Sequence, residues 1–246
     1  MNLQRIKEQI EVYRNWLKGP ESYDNLYLWE SVENFQKNFD LEAEDLANAL
    51  DMALQNSSSR SLWTMEAKFP KQMMLKFIQM DKDMVRWTFK DLFRAENSLD
   101  GRLNRFIFHC DEMYSVWKKQ NPKAHDLGHY HDSDHWMSTL YLFLASPESY
   151  CPYNLNLLQK ALKGFEAKNI PDNEDPGRLF KIVKVVDKFI SADEEIMELH
   201  QNRLHEWKQQ QNQTHKSIFS NVSEETVEKI EQFAESFEQF VKEEEE

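Results

Sequence analysis

Residues 129–163 read HYHDSDHWMSTLYLFLASPESYCPYNLNLLQKALK, and this stretch decides how the chain is expected to fold. Ser133 is placed to cap a short helix, and Pro147 ends that helix because proline disfavours helical backbone in the residue before it. The helix carries its large apolar residues at helical spacing, at Trp136, Leu140, Phe143 and Leu144. The first half of the stretch therefore predicts an amphipathic helix.

A tyrosine-rich bend then reverses the chain through Tyr150, Cys151, Pro152 and Tyr153. Asn154 can cap a second helix, whose apolar side consists of Leu155, Leu158, Ala161, Leu162 and Phe165. We predict a central helical hairpin around which other helices pack. Tyr150 and Tyr153 should stabilise this bend and not touch a ligand, each burying its ring while the hydroxyl reaches a backbone carbonyl or Asp132.

Helical spacing recurs along the rest of the sequence, and no segment has the period of a strand. The chain holds 5 glycines in 246 residues, which favours helices over tight turns. We expect Pro70 to open a helix, and we expect caps at Asp40, Asp81 and the pair Ser191–Glu194. The prediction is an all-α bundle of about ten to eleven helices without a β-sheet, the last helix starting after Ser223.

The sequence suggests three segments. Residues 1–56 hold the N-terminal helices and end in the polar loop Asn56–Ser59. Residues 57–210 form a central helical domain, and residues 211–246 a linker with an acidic C-terminal helix. In the alternative, everything up to residue 210 is one compact domain.

Composition limits the cellular setting. The net charge is −13, and there is no apolar run of the roughly 20 residues needed to span a bilayer. The two cysteines, Cys110 and Cys151, are typical of reduced thiols rather than of a disulfide framework. We therefore expect a cytoplasmic protein that neither enters a membrane nor needs a cofactor.

The segment 60–120 is the exception to the acidic balance, with 12 basic and 8 acidic residues. Within it Lys82, Arg86, Lys90 and Arg94 recur at every fourth position, with Trp87 beside them. This basic strip could follow a phosphate backbone while the indole stacks on a base. The alternative is a solvated helix face whose charges pair with Asp83 and Asp91, which is the commoner origin of such patterns.

A histidine-rich loop offers the second candidate site. His125, His129, His131 and His135 fall close together, and the last two would share a metal if a helix covered both. The pair His131–Asp132 also invites comparison with all-helical HD phosphohydrolases, with His109 and Asp187 as outer ligands. The alternative is a polar loop whose histidines cap helices or face water.

Sequence signatures of nucleotide-binding loops, serine hydrolases and zinc proteases do not occur in this chain. Cys110 lies on an apolar helix stripe, and no triad residues accompany Cys151. We therefore expect no enzymatic activity from this chain alone.

Three segments together resemble the helical N-terminal region of McrB-like AAA+ ATPases, the motors of bacterial modification-dependent restriction and related defence systems. They are LYLWESVENFQKNFDLEAEDLANAL from Leu26, FPKQMMLKFIQMDKDMVRWTFKDLF from Phe69 and HYHDSDHWMSTLYLFLASPESYCPY from His129. The features that carry the resemblance are Trp29, Phe35, Phe69-Pro70, Arg86, Phe89, Leu92, Phe93, His129-Tyr130, Asp132, Pro147, Tyr150 and Tyr153. It covers roughly residues 25–200.

The resemblance implies a function in defence. In that family the region before the motor often recognises target nucleic acid, and the hexameric motor drives a partner nuclease. This chain contains no Walker motif, so we expect the motor and the nuclease to be partners. The resulting hypothesis is a non-catalytic recognition or adaptor module that contacts nucleic acid through the basic strip. The alternatives are a protein-interaction module, docking through the C-terminal helix with Phe233, Phe237 and Phe240, and an HD-type phosphohydrolase.

Overall fold

The computed structural model describes residues 2–20, 26–55, 70–124 and 135–214. These residues form ten α-helices and no strand, which confirms the all-α prediction. The helices are α1 (Leu3–Leu17), α2 (Tyr27–Asn38), α3 (Leu46–Ala53), α4 (Pro70–Met80), α5 (Lys82–Phe93), α6 (Leu99–Gln120), α7 (Trp136–Ala145), α8 (Leu155–Gly164), α9 (Pro176–Ile190) and α10 (Glu194–Thr214). The helix expected after Ser223 lies outside the described residues.

Several helix starts are where the sequence put them. Pro70 is the first residue of α4. The side chain of Asp81 accepts a hydrogen bond from the backbone N–H of Met84, and that of Asn154 from the N–H of Leu157. Both caps satisfy amides that have no partner inside the helix.

Two predicted caps are wrong, because another acidic residue stands closer to the helix. Asp45 caps α3, whereas Asp40 accepts from the N–H of Glu42 two residues on, the local turn that aspartate favours. Asp193 accepts from the N–H of Ile196 at the start of α10, whereas Ser191 ends α9 and donates to Asp187. Ser133 lies outside the described residues.

The core consists of two hydrophobic clusters. The first is built by α2 to α7, and Leu204 and Trp207 from the second half of α10 join it. The second is built by α1, the tyrosine bend, α8 and α9, together with Ile196 from the first half of α10. Leu99 and Tyr150 pack against both clusters and so mark the seam between them.

Helix α7 is the centre of the first cluster. Its residues Met137–Leu144 are all buried, polar Ser138 and Thr139 included. It contacts α2, α5 and α6, and such all-round burial explains why the sequence of α7 is apolar on more than one side.

No described helix is both long and apolar enough to cross a lipid bilayer.

The structure corrects the predicted hairpin. Helices α7 and α8 are joined by the tyrosine bend as expected, but α7 belongs to the first cluster and α8 to the second. Helix α8 buries one stripe, Leu158, Ala161 and Leu162, and that stripe is covered by the second cluster.

Tyr153 fixes the bend between the two clusters. Its side chain is fully buried, its backbone N–H donates to Thr139 Oγ1 at 2.9 Å, and its hydroxyl accepts from the backbone N–H of Asp175 at 2.9 Å. The donor of this bond is the backbone amide of the residue that caps α9, while the predicted donation of the hydroxyl to a carbonyl or Asp132 stays a prediction. Asp132 lies outside the described residues. Tyr153 thus connects α7 to the start of α9.

Helix α10 extends to Thr214, into the polar run predicted as a linker. Glutamine and lysine are good helix formers, so this composition suits either state. Trp207 anchors the helix, because its ring meets Trp29 edge-on at 5.3 Å. The division into three segments stays a prediction, since residues 56–69 and 215–246 lie outside the described residues.

Tyr153 should matter for stability in two separable ways. Tyr153→Ala removes a buried aromatic ring and should lower the free energy of unfolding by about 3 kcal/mol. Tyr153→Phe keeps the ring but leaves the Asp175 amide without its acceptor, and should cost about 1 kcal/mol. Urea unfolding of the parent and both variants measures the two terms, and equal losses in the variants would contradict the role given to the ring.

Candidate functional site

The basic strip lies on α5, and its best-ordered member is Arg86. Its Nε donates to the carbonyl of Leu41 at 2.7 Å, its Nη2 donates to the carbonyl of Ala43, and its Nη1 pairs with Asp83 at 3.0 Å. Only 17% of the side chain is exposed. Arg86 therefore holds the turn between α2 and α3, which leaves few of its donors for a phosphate.

Other cations of the strip face the same turn. Lys90 Nζ pairs with Glu42 at 2.5 Å, and Lys82 Nζ donates to the carbonyl of Glu44 at 3.2 Å. Arg94, the residue that ends α5, is exposed. The strip thus borders an acidic turn of the same chain, which cancels much of its positive charge.

Trp87 stands apart from these pairs. Its side chain is 48% exposed, and its ring meets His109 of α6 edge-on, with centroids 4.9 Å apart. The ring of His109 also meets that of its chain neighbour Phe108 edge-on, with centroids 5.2 Å apart, and Phe108 is 56% exposed. We call Trp87, Phe108 and His109 the aromatic surface. Trp87 and Phe108 are thus two exposed large apolar side chains that contact one imidazole, and exposed apolar patches are candidate interaction sites.

An ion pair braces the two helices beside the aromatic surface. Arg105 of α6 donates through Nε to Asp91 Oδ2 at 2.7 Å and through Nη2 to Asp91 Oδ1 at 3.1 Å. The Arg105 guanidinium lowers the pKa of the Asp91 carboxyl below its ordinary value, because these hydrogen bonds favour the charged form. The bidentate geometry fixes the register of α5 against α6.

The sequence pointed to Trp87 but missed its neighbours on α6. Phe108 is the aromatic residue that falls off the buried stripe of that helix, at a position about 200° around the axis from Phe106. That offset could have identified it as a surface residue. The contact of His109 with Trp87 could not be read from either helix alone, because it depends on how α5 and α6 pair.

The histidine cluster is described only in part. His125, His129, His131 and Asp132 lie outside the described residues. His135 precedes α7, with its Nε2 at 3.0 Å from Asn104 Oδ1 and its Nδ1 against the carboxylate of Glu174. In the described part of the chain, no three His, Cys, Asp or Glu side chains are grouped to hold a metal. Metal binding by the loop stays a prediction.

The residues proposed as outer ligands of a phosphohydrolase have other contacts. His109 belongs to the aromatic surface, and Asp187 accepts from Ser191 Oγ at 3.0 Å. Cys110 and Cys151 are buried thiols that are not joined in a disulfide, and burial raises the pKa of the Cys151 thiol well above its usual range. A thiol of that kind is a packing group and a poor nucleophile.

Comparison with protein-family models, with curated proteins and with solved structures gave no match. The aromatic surface and the charges around it therefore carry the functional argument.

Arg86 and Lys90 should differ in their effect on stability although both are basic residues of the strip. Arg86→Ala removes donors from two carbonyls and should lower the free energy of unfolding by about 2 kcal/mol, a range measured for hydrogen bonds to charged groups. Lys90→Ala breaks one exposed pair and should cost less than about 1 kcal/mol. Arg86→Lys should not restore stability, because an ammonium lacks the planar fork. Urea unfolding would contradict this if Arg86→Ala were as stable as Lys90→Ala.

The ion pair of Asp91 and Arg105 should appear in the acid limb of stability. The pKa of Asp91 is lower in the folded state than in the unfolded state. The pair therefore stabilises the fold fully at pH values above the unfolded-state pKa, and this effect is lost as the pH falls through the folded-state pKa. The free energy of unfolding should fall less steeply between about pH 5 and pH 3 in Asp91→Asn than in the parent. Exposed Asp172→Asn is the control, and an unchanged slope in Asp91→Asn would contradict the pairing.

Proposed function

We propose that this chain is a cytoplasmic, non-catalytic helical adaptor that uses its aromatic surface to contact the AAA+ motor of an McrB-like defence system. The observation that carries the adaptor role is the pair of half-exposed rings, Trp87 and Phe108, held by His109. The choice of motor as partner rests on the sequence resemblance alone. The proposal that the chain is non-catalytic rests on the lack of known catalytic signatures in its sequence.

Rigid aromatic side chains are suited to recognition. Tryptophan is enriched at the energetic centres of protein interfaces, because it buries a large area and loses little conformational entropy. Trp87 and Phe108 sit on α5 and α6, which pair along the ion pair of Asp91 and Arg105. Their backbone is therefore in place before a partner arrives, which lowers the entropic cost of binding.

The charges beside the aromatic surface favour a protein partner over a nucleic acid. Lys90 is paired with Glu42, Arg86 with Asp83 and Arg105 with Asp91, and the whole chain carries a charge of −13. Nucleic-acid affinity depends largely on free cations that replace condensed counterions. Mixed and mutually paired charges around an apolar centre are typical of the rim of a protein interface.

The proposal is tested by co-purifying the chain with an McrB-like AAA+ motor and measuring their affinity. Trp87→Ala with Phe108→Ala should weaken binding at least about tenfold, since truncating interface aromatics commonly costs 1–2 kcal/mol or more. The control is Met52→Ala, an exposed apolar residue on α3 that lies outside the aromatic surface. Circular dichroism should show all variants folded, because the substituted side chains are about half exposed.

Two outcomes would overturn the proposal. One is a complex whose affinity is unchanged by the double substitution. The other is the nucleic-acid alternative, in which gel shifts at low salt with methylated, unmodified or single-stranded DNA or RNA show binding that Lys90→Glu with Arg94→Glu abolishes. In that case the basic strip is the binding surface, and the aromatic surface at most supports it.

A further inference from the structure

A cleft opens at the seam between the two hydrophobic clusters. It has a volume of about 460 Å³ and lies between the first turn of α6, the tyrosine bend and the first half of α9. The side chains that matter for its chemistry are Asp100, Arg102, Tyr150, Phe180, Lys181 and Lys184. None of them belongs to the aromatic surface.

Arg102 is a buried cation in the wall of this cleft. The residue is 3% exposed, its Nη1 donates to the carbonyl of Leu92 at 2.8 Å, and its Nη2 donates to the hydroxyl of Tyr150 at 3.0 Å. Its Nε is buried and has no hydrogen-bond partner among the residues that the structure describes. Within the described ranges no carboxylate pairs with this guanidinium. A buried charge in this state is costly unless an anion joins it.

Two lysines add to the positive charge of the cleft. Lys181 and Lys184 are three residues apart on α9, so they lie on the same face, and both are exposed. Neither forms an ion pair with another described residue. Among the described lining residues Asp100 is the opposing charge, so three cations against one anion give a net charge of +2.

The start of α6 favours the same kind of ligand. Its N-cap residue Ser98 makes no side-chain hydrogen bond to the first turn, although Leu99 and Asp100 of that turn line the cleft. The amino end of a helix attracts negative charge, an effect that Asp100 uses in part. This is a minor contribution beside Arg102 and the two lysines.

The volume, shape and charge of the cleft limit the class of ligand that it can bind. Small-molecule sites in proteins commonly enclose roughly 300–1,000 Å³, and the cleft falls in this range. Tyr150 and Phe180 meet edge-on, with ring centroids 5.4 Å apart, and give the cleft an apolar wall. A charge of +2 matches a phosphate dianion better than a single carboxylate. We propose that this cleft binds a small phosphomonoester, with Arg102, Lys181 and Lys184 holding the phosphate.

The test uses the full chain in low-salt buffer with three probes: inorganic phosphate, AMP and adenosine. Calorimetry should detect both AMP and phosphate, but not adenosine, because the phosphate supplies the charge. At ten times the dissociation constant, AMP should raise the Tm by about 3–5 °C, since a ligand that binds only the folded state stabilises it. If AMP binds more tightly than phosphate, the aromatic wall contributes to binding. If the two affinities are equal, the cleft recognises only the phosphate group.

The decisive variant is Lys181→Gln with Lys184→Gln, which changes exposed side chains and should leave the fold intact. Affinity for AMP should fall at least about tenfold, as expected for the loss of two charge-assisted contacts. Lys188→Gln is the matched control, an exposed lysine one turn further along α9 that is not part of the lining. Phosphate also stabilises proteins nonspecifically, but that effect would persist in every variant.

Arg102→Lys provides the second check. It keeps the charge but loses the fork that reaches Leu92, Tyr150 and the ligand together, so the affinity for AMP should fall while the chain remains folded. The proposal is overturned if the parent binds neither AMP nor phosphate at 10 mM, if adenosine binds as well as AMP, or if the double lysine variant retains full affinity. None of these results would bear on the aromatic surface.

Discussion

The buried hydroxyl and amide of Tyr153 are the connection on which the arrangement of the two clusters depends. The amide is tied to Thr139 in α7, and the hydroxyl is tied to the amide of Asp175 before α9. One residue thus positions α7 of the first cluster against the start of α9 in the second. The bond to Thr139 is buried and the bond from Asp175 is partly buried, and hydrogen bonds are electrostatically stronger where water is excluded. Tyr150 of the same bend accepts from Arg102 and lines the cleft.

Much of the fold could be predicted because the signals that specify a helix lie within the helix and at its ends. The apolar spacing of α6 and the caps at Asp81 and Asn154 follow from residues within one or two turns of each other. The predictions failed where two neighbours compete for one role, as Asp40 and Asp45 do before α3. They also failed where packing decides, since nothing within α7 or α8 says that the two helices enter different clusters.

The candidate sites also depend on contacts between segments that are far apart in the sequence. Trp87 could be identified from its place beside the basic strip, but its partner His109 is provided by the pairing of α5 with α6. The cleft draws Arg102, Tyr150 and Lys181 from three distant segments, so no spacing in the sequence signals it. The basic strip is the opposite case. Its regular spacing is conspicuous in the sequence, yet the acidic turn that neutralises it lies about 40 residues earlier in the chain.

Helix α10 contributes residues to both hydrophobic clusters. Ile196 near its start is buried in the second cluster, His200 reaches Tyr13 of α1 at 2.9 Å, and Leu204 and Trp207 are buried in the first cluster. A rigid rod inserted into both cores couples their melting, because neither can open without stripping part of the same helix. The chain should therefore lose its structure in one cooperative transition, and slow hydrogen exchange should extend along α10 across both halves of the molecule.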